Sequence, residues 1–237
     1  MTLYEVHSAL ARSLGDPFAE TALSTICDGV RYSKQARQGY LYRACCSIIN
    51  EVIAQLAAVP REQGAEIIST LFPSLSSKLL VPDSIPNQTE STWNFYASDV
   101  NPDGIGIAYL LAVSAYYNED TDAIPIPIVS SNRARKIASR ANRSQLNDPV
   151  AWLGINYNYS PTNAFRIYVN QGSADLTGRF LAIYFIRYPL NQVLTDGTLG
   201  FDFEASYMNA VLNKATLYGM TDGGDLTPEQ ILPLLAK

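Results

Sequence analysis

The run Phe180-Leu-Ala-Ile-Tyr-Phe-Ile-Arg-Tyr188 decides the fold class of this chain. It is rich in β-branched and aromatic residues, carries one charge and ends at Pro189, which together favour a β-strand over a buried helix. Apolar side chains fall on both of its faces, so the strand is predicted to lie in the middle of a sheet or beneath a partner. Its nine residues are also too few to span a bilayer as a helix.

Two further strands are predicted upstream of this run. Trp152–Tyr159 and Phe165–Asn170 both alternate between apolar and polar residues, and Ser160–Asn163 reads as the turn between them. The connection after Asn170 contains Gly172 and Gly178, which tolerate turn conformations. Short polar connections between consecutive strands predict a three-stranded antiparallel meander.

The N-terminal third is predicted to be helical. Thr2 and Glu5 form a capping box that opens a first helix, and Glu20 to about Val30 reads as a second. The strongest periodicity predicts one long amphipathic helix that ends near Pro60, followed by a short helix through Leu71. Its apolar stripe comprises Leu41, Ala44, Cys45, Ile48, Ile49, Val52, Ile53 and Leu56.

The middle of the chain changes character at Phe72-Pro73, beyond which strand formers alternate with Pro, Gly and Asn. Trp93–Tyr96 is predicted to be a strand, and Ile105–Tyr117 fits a strand better than a helix because turn signals flank it. Prolines two residues apart place Ala123–Val129 at a sheet edge or in extended coil. Arg133–Arg143 is predicted to form a helical turn or two.

The order of these elements predicts an α+β fold. It consists of an N-terminal helical bundle, an antiparallel β-sheet or sandwich-like middle, a C-terminal helix over Phe201–Tyr218 and an extended tail. Residues 1–72 and 201–219 are assigned to the helical part and residues 73–200 to the β-rich part. Gly219–Asp225 is predicted to be a flexible hinge, so that 220–237 form a flexible docking tail.

The composition favours a subunit of an assembly. Charged residues make up only 16% of the 237 residues, against roughly 25% in ordinary soluble domains, while tyrosines number 15. Assembly surfaces lose Lys and Glu and gain Tyr, although a tyrosine-rich monomer fits the same numbers. The net charge of −5 argues against non-specific binding of nucleic acid by the whole chain.

Cysteine usage and the N-terminal residues favour a reducing compartment. The chain has three cysteines, with Cys45 and Cys46 adjacent in the long helix, which does not fit a disulfide framework. The first residues lack the basic and apolar regions of a signal peptide.

Two acidic segments are the candidates for metal binding. Asp99-Val-Asn-Pro-Asp103-Gly resembles the start of a calcium loop, but Leu110 stands where a bidentate Glu is required, so a turn is the better interpretation. Glu119–Asp122 is a contiguous acidic cluster, which favours a solvated loop. A calcium or metal-binding module, or a carboxylate-based enzyme, therefore stays a minor alternative, and no metal or cofactor is predicted.

No catalytic residue is predicted. His7 is the single histidine, it lies in the first helix, and no Gly-x-Ser-x-Gly elbow accompanies it, so a core position is favoured over catalysis. Neither a Cys/His zinc site nor a phosphate loop can be assembled.

Two segments are candidate partner interfaces. The basic segment Arg133–Arg143 has two interpretations. It either contacts phosphate or an acidic partner, or it is a solvated face, and the solvated face is favoured. The apolar tail beyond the predicted hinge either packs on its own domain or docks into a neighbour, and docking is our hypothesis. The candidate residues are Arg133, Arg135, Lys136, Arg140 and Arg143 in the basic segment, and Leu226, Ile231, Leu232, Leu234 and Leu235 in the tail.

The order of these segments resembles the head–tail connector proteins of tailed bacteriophages, also called adaptor or ring proteins, and most of all those of crAss-like phages. The resemblance covers most of the chain, except for Pro73–Gly104. It rests on the helical N-terminal third, Ile124-Pro-Ile-Pro-Ile128, Asn147-Asp-Pro149, the closing Ile186-Arg-Tyr-Pro189 and the late helix.

The resemblance implies a non-enzymatic structural protein of the virion, located in the neck and made in the cytoplasm of the bacterial host. About twelve copies would form a ring below the portal protein and contact an adjacent ring or tail protein. DNA would pass through the ring without sequence-specific binding, and no membrane would be involved. Another tail or capsid-associated subunit is the alternative within the same class.

Overall fold

The computed structural model describes residues 1–17, 25–81, 88–89, 92–96, 106–116, 124–130, 150–155, 165–170, 180–190 and 196–224. The helices of these regions are α1 (Leu3–Ser13), α2 (Lys34–Gln55), α3 (Arg61–Leu71) and α4 (Met208–Asp222). The strands are β1 (Ser76–Val81), β2 (Gln88–Thr89), β3 (Thr92–Tyr96), β4 (Ile107–Tyr116), β5 (Ile124–Ile126), β6 (Val150–Ile155), β7 (Phe165–Asn170) and β8 (Phe180–Arg187).

The chain has the predicted α+β fold, with helices on both sides of a β-rich middle in the sequence and antiparallel sheets. Its contacts divide it into two compact units. Residues 1–55 and 189–237 form the helical unit, and residues 56–188 form the β-rich unit. The β-rich unit thus begins and ends earlier than the range 73–200 predicted for the β-rich part. The predicted division into a helical part, a β-rich part and a tail stays a prediction.

The capping box at the start of α1 is confirmed. The Glu5 backbone N–H donates to Thr2 Oγ1 over 3.2 Å, and the Thr2 N–H donates to Glu5 Oε2 over 2.8 Å. Two of the N–H groups left without helical partners in the first turn are thereby satisfied. The buried face of α1 carries Val6 and Leu10, which are both fully enclosed.

The long helix predicted from periodicity is confirmed as α2. The first part of its apolar stripe, from Leu41 to Ile49, is buried in the helical unit. The stripe is only half-buried from Val52 onward, and Leu56 already belongs to a short 3-10 turn. The short helix after Pro60 is confirmed as α3, which Pro60 precedes as the N-cap residue.

The second helix predicted over Glu20–Val30 is wrong for its described part. Residues 25–30 are not helical: Thr25 forms an antiparallel bridge with Asp196, and Val30 is 96% exposed. The physical reason is Asp16, whose carboxylate binds the backbone N–H groups of residues 30–32 and so holds them in a turn. The rest of that prediction lies outside the described residues.

The first sheet has the order β1-β8-β4-β5, with all neighbours antiparallel. β8 is the run that the sequence marks as buried on both faces, and it lies between β1 and β4 as predicted for such a strand. Side chains on both faces of β8 are buried, Ala182 and Ile186 on one and Ile183 and Phe185 on the other. The predicted strand over Ile105–Tyr117 is confirmed as β4.

The predicted three-stranded meander is wrong. β6 and β7 pair antiparallel as expected, but β7 continues to β3, and β8 belongs to the other sheet. The connection 171–179 is longer than the two to five residues of a usual hairpin loop, so its length did not require β7 and β8 to be neighbours. Apolar side chains on both faces favoured a place between two strands for β8.

The second sheet has the order β2-β3-β7-β6, which confirms the strand at Trp93–Tyr96. β5 is an edge strand of the first sheet, as its prolines predicted. Just beyond it, Ile128 forms a parallel bridge to Ala151 of β6, where the Ala151 N–H donates to the Pro127 carbonyl over 2.9 Å. The proline-spaced segment therefore contacts both sheets.

The helix α3 is fastened to β4 inside the β-rich unit. The Arg61 guanidinium lies 5.0 Å from the centre of the Tyr109 ring and donates to the Leu110 carbonyl. These residues border two register irregularities in the pairing of β4 with β8, after Ile107 and after Leu110. Strand irregularities of this kind redirect a carbonyl out of the regular ladder, which suits Leu110 as an acceptor for Arg61.

The C-terminal helix differs from its prediction at both ends. Residues 201–204 are not helical, a 3-10 turn covers Ala205–Tyr207, and α4 continues to Asp222 through most of the predicted hinge. Gly219 is buried, and a Cβ there would stand 2.7 Å from Leu14 Cδ2. This glycine therefore serves close packing between α4 and the end of α1, rather than flexibility.

Candidate functional site: the polar core and the α2–α4 groove

The residues that the sequence predicts as partner interfaces lie outside the described residues. These are Arg133, Arg135, Lys136, Arg140, Arg143, Leu226, Ile231, Leu232, Leu234 and Leu235. The acidic candidates Asp99 and Asp103, and the cluster at Glu119–Asp122, lie outside them as well. The described parts that offer functional geometry are in the helical unit: a buried polar core, and a groove between α2 and α4.

The polar core begins at Asp16, which is 4% exposed. Its carboxylate accepts three backbone N–H groups, from Val30 at 2.8 Å, Arg31 at 2.9 Å and Tyr32 at 2.8 Å. Burial opposes ionisation of this carboxyl, but these hydrogen bonds and the charge of Arg37 outweigh it and lower the pKa of Asp16. Asp16 is therefore charged at neutral pH and fixes the loop that leads into α2.

Arg37 is fully buried and completes this part of the core. Its guanidinium donates to the Tyr32 carbonyl over 2.9 Å and to the Cys27 carbonyl. Gly29 lies against both charged groups, since a Cβ there would be 2.2 Å from Asp16 Oδ2 and 3.1 Å from Arg37 Nη1. A side chain at position 29 would displace the carboxylate, so the loop requires glycine for close approach.

His7 is buried beside this cluster, as the interpretation as a core residue predicts. It is 1% exposed, and its Nε2 lies 3.0 Å from Gln38 Oε1. Gln38 Nε2 in turn donates to the Leu190 carbonyl over 3.3 Å, and the Leu190 N–H donates to Asp202 Oδ2 over 2.9 Å. The chain that leaves β8 is thereby tied to α1 and α2 through side-chain hydrogen bonds.

The α2–α4 groove is a surface concavity of the helical unit, with a volume of about 530 Å³. It is lined by Tyr42, Arg43, Cys46, Ser47, Asn50, Glu51, Ala54 and Tyr218. The α2 part, from Tyr42 to Ala54, extends along about 18 Å of helix at 1.5 Å per residue. The groove is thus an elongated surface with two tyrosines on it.

The charges along the groove are paired within the chain. Arg43 lies 2.9 Å from Asp222 and 4.5 Å from the centre of the Tyr218 ring. Lys214 lies 2.6 Å from Glu51, and this hydrogen bond is the main cause of the lowered pKa of the Glu51 carboxyl. These pairs order the long charged side chains beside the aromatic rings of the groove.

The cysteines of α2 are free thiols with little reactivity. Cys45 is buried and Cys46 half-buried, and burial raises the pKa of both, that of Cys46 to about 11. Both thiols are protonated at neutral pH, and the thiol is a poor nucleophile. Across the described ranges no three His, Cys, Asp or Glu residues come together in a way that could hold a metal ion.

Among the helices that the structure describes, none has the length and apolar character required to cross a bilayer. No protein-family model matches the chain, and no curated protein matches it either.

Sequence reasoning missed the polar core, although a signal for it was present. Arg37 and Gln38 stand four and three residues before Leu41, which places them in line with the apolar stripe of α2. A polar residue on a buried stripe requires a partner, and the partners Asp16, His7 and Leu190 come from distant parts of the chain. No sequence pattern indicated the groove, because it depends on how α2 and α4 pack.

Proposed function

We propose that this protein is a structural subunit of a phage virion, a head–tail connector that assembles through copies of itself into a ring. The observation that carries the proposal is the α2–α4 groove. It combines two half-buried tyrosines, Tyr42 and Tyr218, with ion pairs that are already satisfied within the chain. The resemblance described from the sequence supplies the biological setting.

The chemistry of the groove fits a protein partner. Tyr42 and Tyr218 present rigid rings with a polar edge, the type of side chain that contributes most to protein interfaces. Because Arg43 and Lys214 are neutralised by Asp222 and Glu51, a neighbour need not supply compensating charge. A surface of this kind favours close packing against another folded chain.

The composition supports the same proposal at the level of the whole chain. A content of 15 tyrosines with only 16% charged residues suits a subunit that covers much of its surface with neighbours. In a closed ring each subunit uses two different faces, because the contact is heterologous. The groove would be one face, and the complementary face would come from the next copy.

The proposed mechanism is mechanical. The ring stacks on the portal, presents a docking face to the next ring or to the tail, and keeps the DNA channel continuous. A net charge of −5 limits adhesion of the passing DNA. No covalent bond is made or broken in this role.

Mass measurement of the purified chain, alone and with its candidate portal protein, tests the proposal. We expect closed oligomers of about twelve copies. Tyr218→Ala is expected to weaken assembly about tenfold or more, as for a central interface tyrosine. Glu62→Ala, at an exposed position of α3, is the matched control and should leave assembly unchanged. A monodisperse monomer that joins no particle would contradict the proposal.

The tail gives a second test that does not depend on the groove. Deletion of residues 226–237 is expected to weaken docking while the remaining chain stays folded, because the proposal assigns these residues to a contact with a neighbour. Circular dichroism and mass measurement on the same sample separate the two effects. Unfolding of the truncated chain would show that the tail belongs to the fold of its own subunit.

A further inference from the structure

Both backbone groups of Leu190, its N–H and its carbonyl, form hydrogen bonds to side chains. This residue comes shortly after β8, and the chain enters the helical unit there. Its N–H donates to Asp202 and its carbonyl accepts from Gln38. The bond from Gln38 depends in turn on His7, which orders the other end of the same amide.

The hydrogen bonds determine the tautomer of His7. The Leu190 carbonyl can only accept, so Gln38 directs its amide nitrogen to Leu190 and its oxygen to His7. The oxygen can also only accept, so the proton of the neutral imidazole is on Nε2. Nδ1 is then a bare nitrogen, buried without a hydrogen-bond partner among the described residues.

Protonation at Nδ1 would place an unsatisfied N–H and a full charge in the core. Burial is the main factor that lowers the pKa of His7, to about 4. The hydrogen bond to Gln38 raises this pKa, and the nearby charge of Arg37 lowers it further. The remaining charged groups of the cluster are Asp16 and Asp28, which both interact with Arg37, and Asp202. The buried face of α4 adds only apolar residues and a glycine: Met208, Val211, Ala215 and Gly219.

We propose that the His7–Gln38 pair is an acid-sensitive latch on the Pro189–Leu190 segment. Protonation expels the imidazole from the core, breaks its bond to Gln38 and so frees the Leu190 carbonyl. The latch is a property of the helical unit of a single subunit and does not rest on the proposed ring. It gives the fold a point at which acid loosens Pro189–Leu190, which follow β8.

The direction of the pH dependence follows from the two pKa values of His7. An unfolded or unlatched chain binds the proton near the ordinary value of 6.5, whereas the latched core binds it only near 4. Between these values the open form binds more protons, so latching weakens as pH falls through this window and is constant above it. The ratio of open to latched molecules is expected to rise on the order of 100-fold across the window.

Nuclear magnetic resonance of the full chain tests the latch, because its single histidine gives one unambiguous imidazole signal. We expect the Nε2–H tautomer at pH 7, a titration midpoint well below 6.5, and a loss of hydrogen-exchange protection at the Leu190 amide along the same curve. An Nδ1–H tautomer, a midpoint near 6.5, or Leu190 protection that does not follow the titration of His7 would each overturn the proposal.

Two variants separate the effect of His7 from that of the carboxyl groups nearby. Asp202→Asn keeps an acceptor for the Leu190 N–H but cannot titrate, so the loss of protection linked to His7 should persist. Its disappearance would assign the effect to Asp202 and overturn the latch. Gln38→Glu places a carboxylate against the imidazole and should raise the titration midpoint by about one pH unit or more. Gln35→Glu, on an exposed position of α2, is the matched control and should leave it unchanged.

Discussion

The helical unit and the β-rich unit are stabilised by different interactions. Among the described residues, all the buried polar side chains belong to the helical unit: His7, Ser8, Asp16, Arg37 and Gln38. The described core of the β-rich unit is apolar and centres on β8, which two strands flank. The first unit therefore depends on the pairing of buried charges and hydrogen bonds in addition to its apolar core, and the second on apolar burial and strand register.

The two units should therefore respond differently to substitution. A buried charge that loses its partner lowers the free energy of unfolding even when the substitution leaves no cavity. In an apolar core, the loss of stability grows with the volume removed. The chain also offers separate probes. Both tryptophans, Trp93 and Trp152, are in the β-rich unit, so their fluorescence reports on that unit while helical circular dichroism is dominated by the other.

The largest effect is expected for Arg37→Met. The substitution leaves Asp16 charged and buried and removes the donor to the Tyr32 and Cys27 carbonyls, so the free energy of unfolding of the helical unit should fall by about 3–5 kcal/mol. Denaturant titration followed by circular dichroism measures it. The double variant Asp16→Asn/Arg37→Met should recover part of the loss, since no buried charge is left alone. A loss below about 1 kcal/mol in the single variant would contradict the assigned role.

The next effect is expected for Ile183→Ala in the β-rich unit. Ile183 is fully buried in the central strand, so the cavity should lower the free energy of unfolding by about 2–5 kcal/mol. Tryptophan fluorescence during denaturation follows it. In contrast to the helical unit, the size of this loss should be the same at pH 7 and pH 5, because the described core around β8 is apolar. A strong pH dependence of this loss would contradict the assignment of an apolar core to the β-rich unit.

A smaller effect is expected for Thr2→Ala. It removes the side-chain oxygen that accepts the Glu5 N–H, which should cost about 1 kcal/mol. Thermal unfolding followed by circular dichroism is the measurement, and the tryptophan signal is the internal control. Thr2→Ser keeps the acceptor and should restore most of the loss. Equal losses in the two variants would show that the cap contributes little.

The smallest effect is expected for Lys214→Ala at the groove. Its pair with Glu51 is partly exposed, so the free energy of unfolding should fall by less than about 1 kcal/mol and the loss should shrink at high salt. Assembly, however, should change more than stability if the ordered groove contacts a neighbour. Denaturation measures the change in stability, and mass measurement on the same sample measures the change in assembly. A large loss of stability would make the pair a structural element rather than part of a surface.

Local patterns predicted much of the fold. The capping box, the long periodic helix, the central place of β8 and the edge position of β5 each depend on residues close together in the sequence. The prediction of a meander was wrong because tertiary packing decides which strands pair across a long connection, and local spacing does not encode the partners of β8. The hinge failed because a glycine that permits close packing looks the same in sequence as one that permits flexibility.

The candidate site was less predictable than the fold. The partners of Arg37 and Gln38 come from residues 7, 16 and 190, and only tertiary packing brings them together. The groove depends on the contact of α2 with α4, which lie far apart in the sequence. The composition of the whole chain, with few charges and many tyrosines, supports the proposed role without locating a contact surface.

Electron microscopy of this protein mixed with its candidate portal protein is the decisive test of the proposed role. Self-association through the α2–α4 groove predicts closed rings seated on the portal, with Tyr218 at the contact between neighbouring copies. Monomers that remain apart from the portal at every concentration would contradict it, as would turnover of a small molecule that a single substitution abolishes.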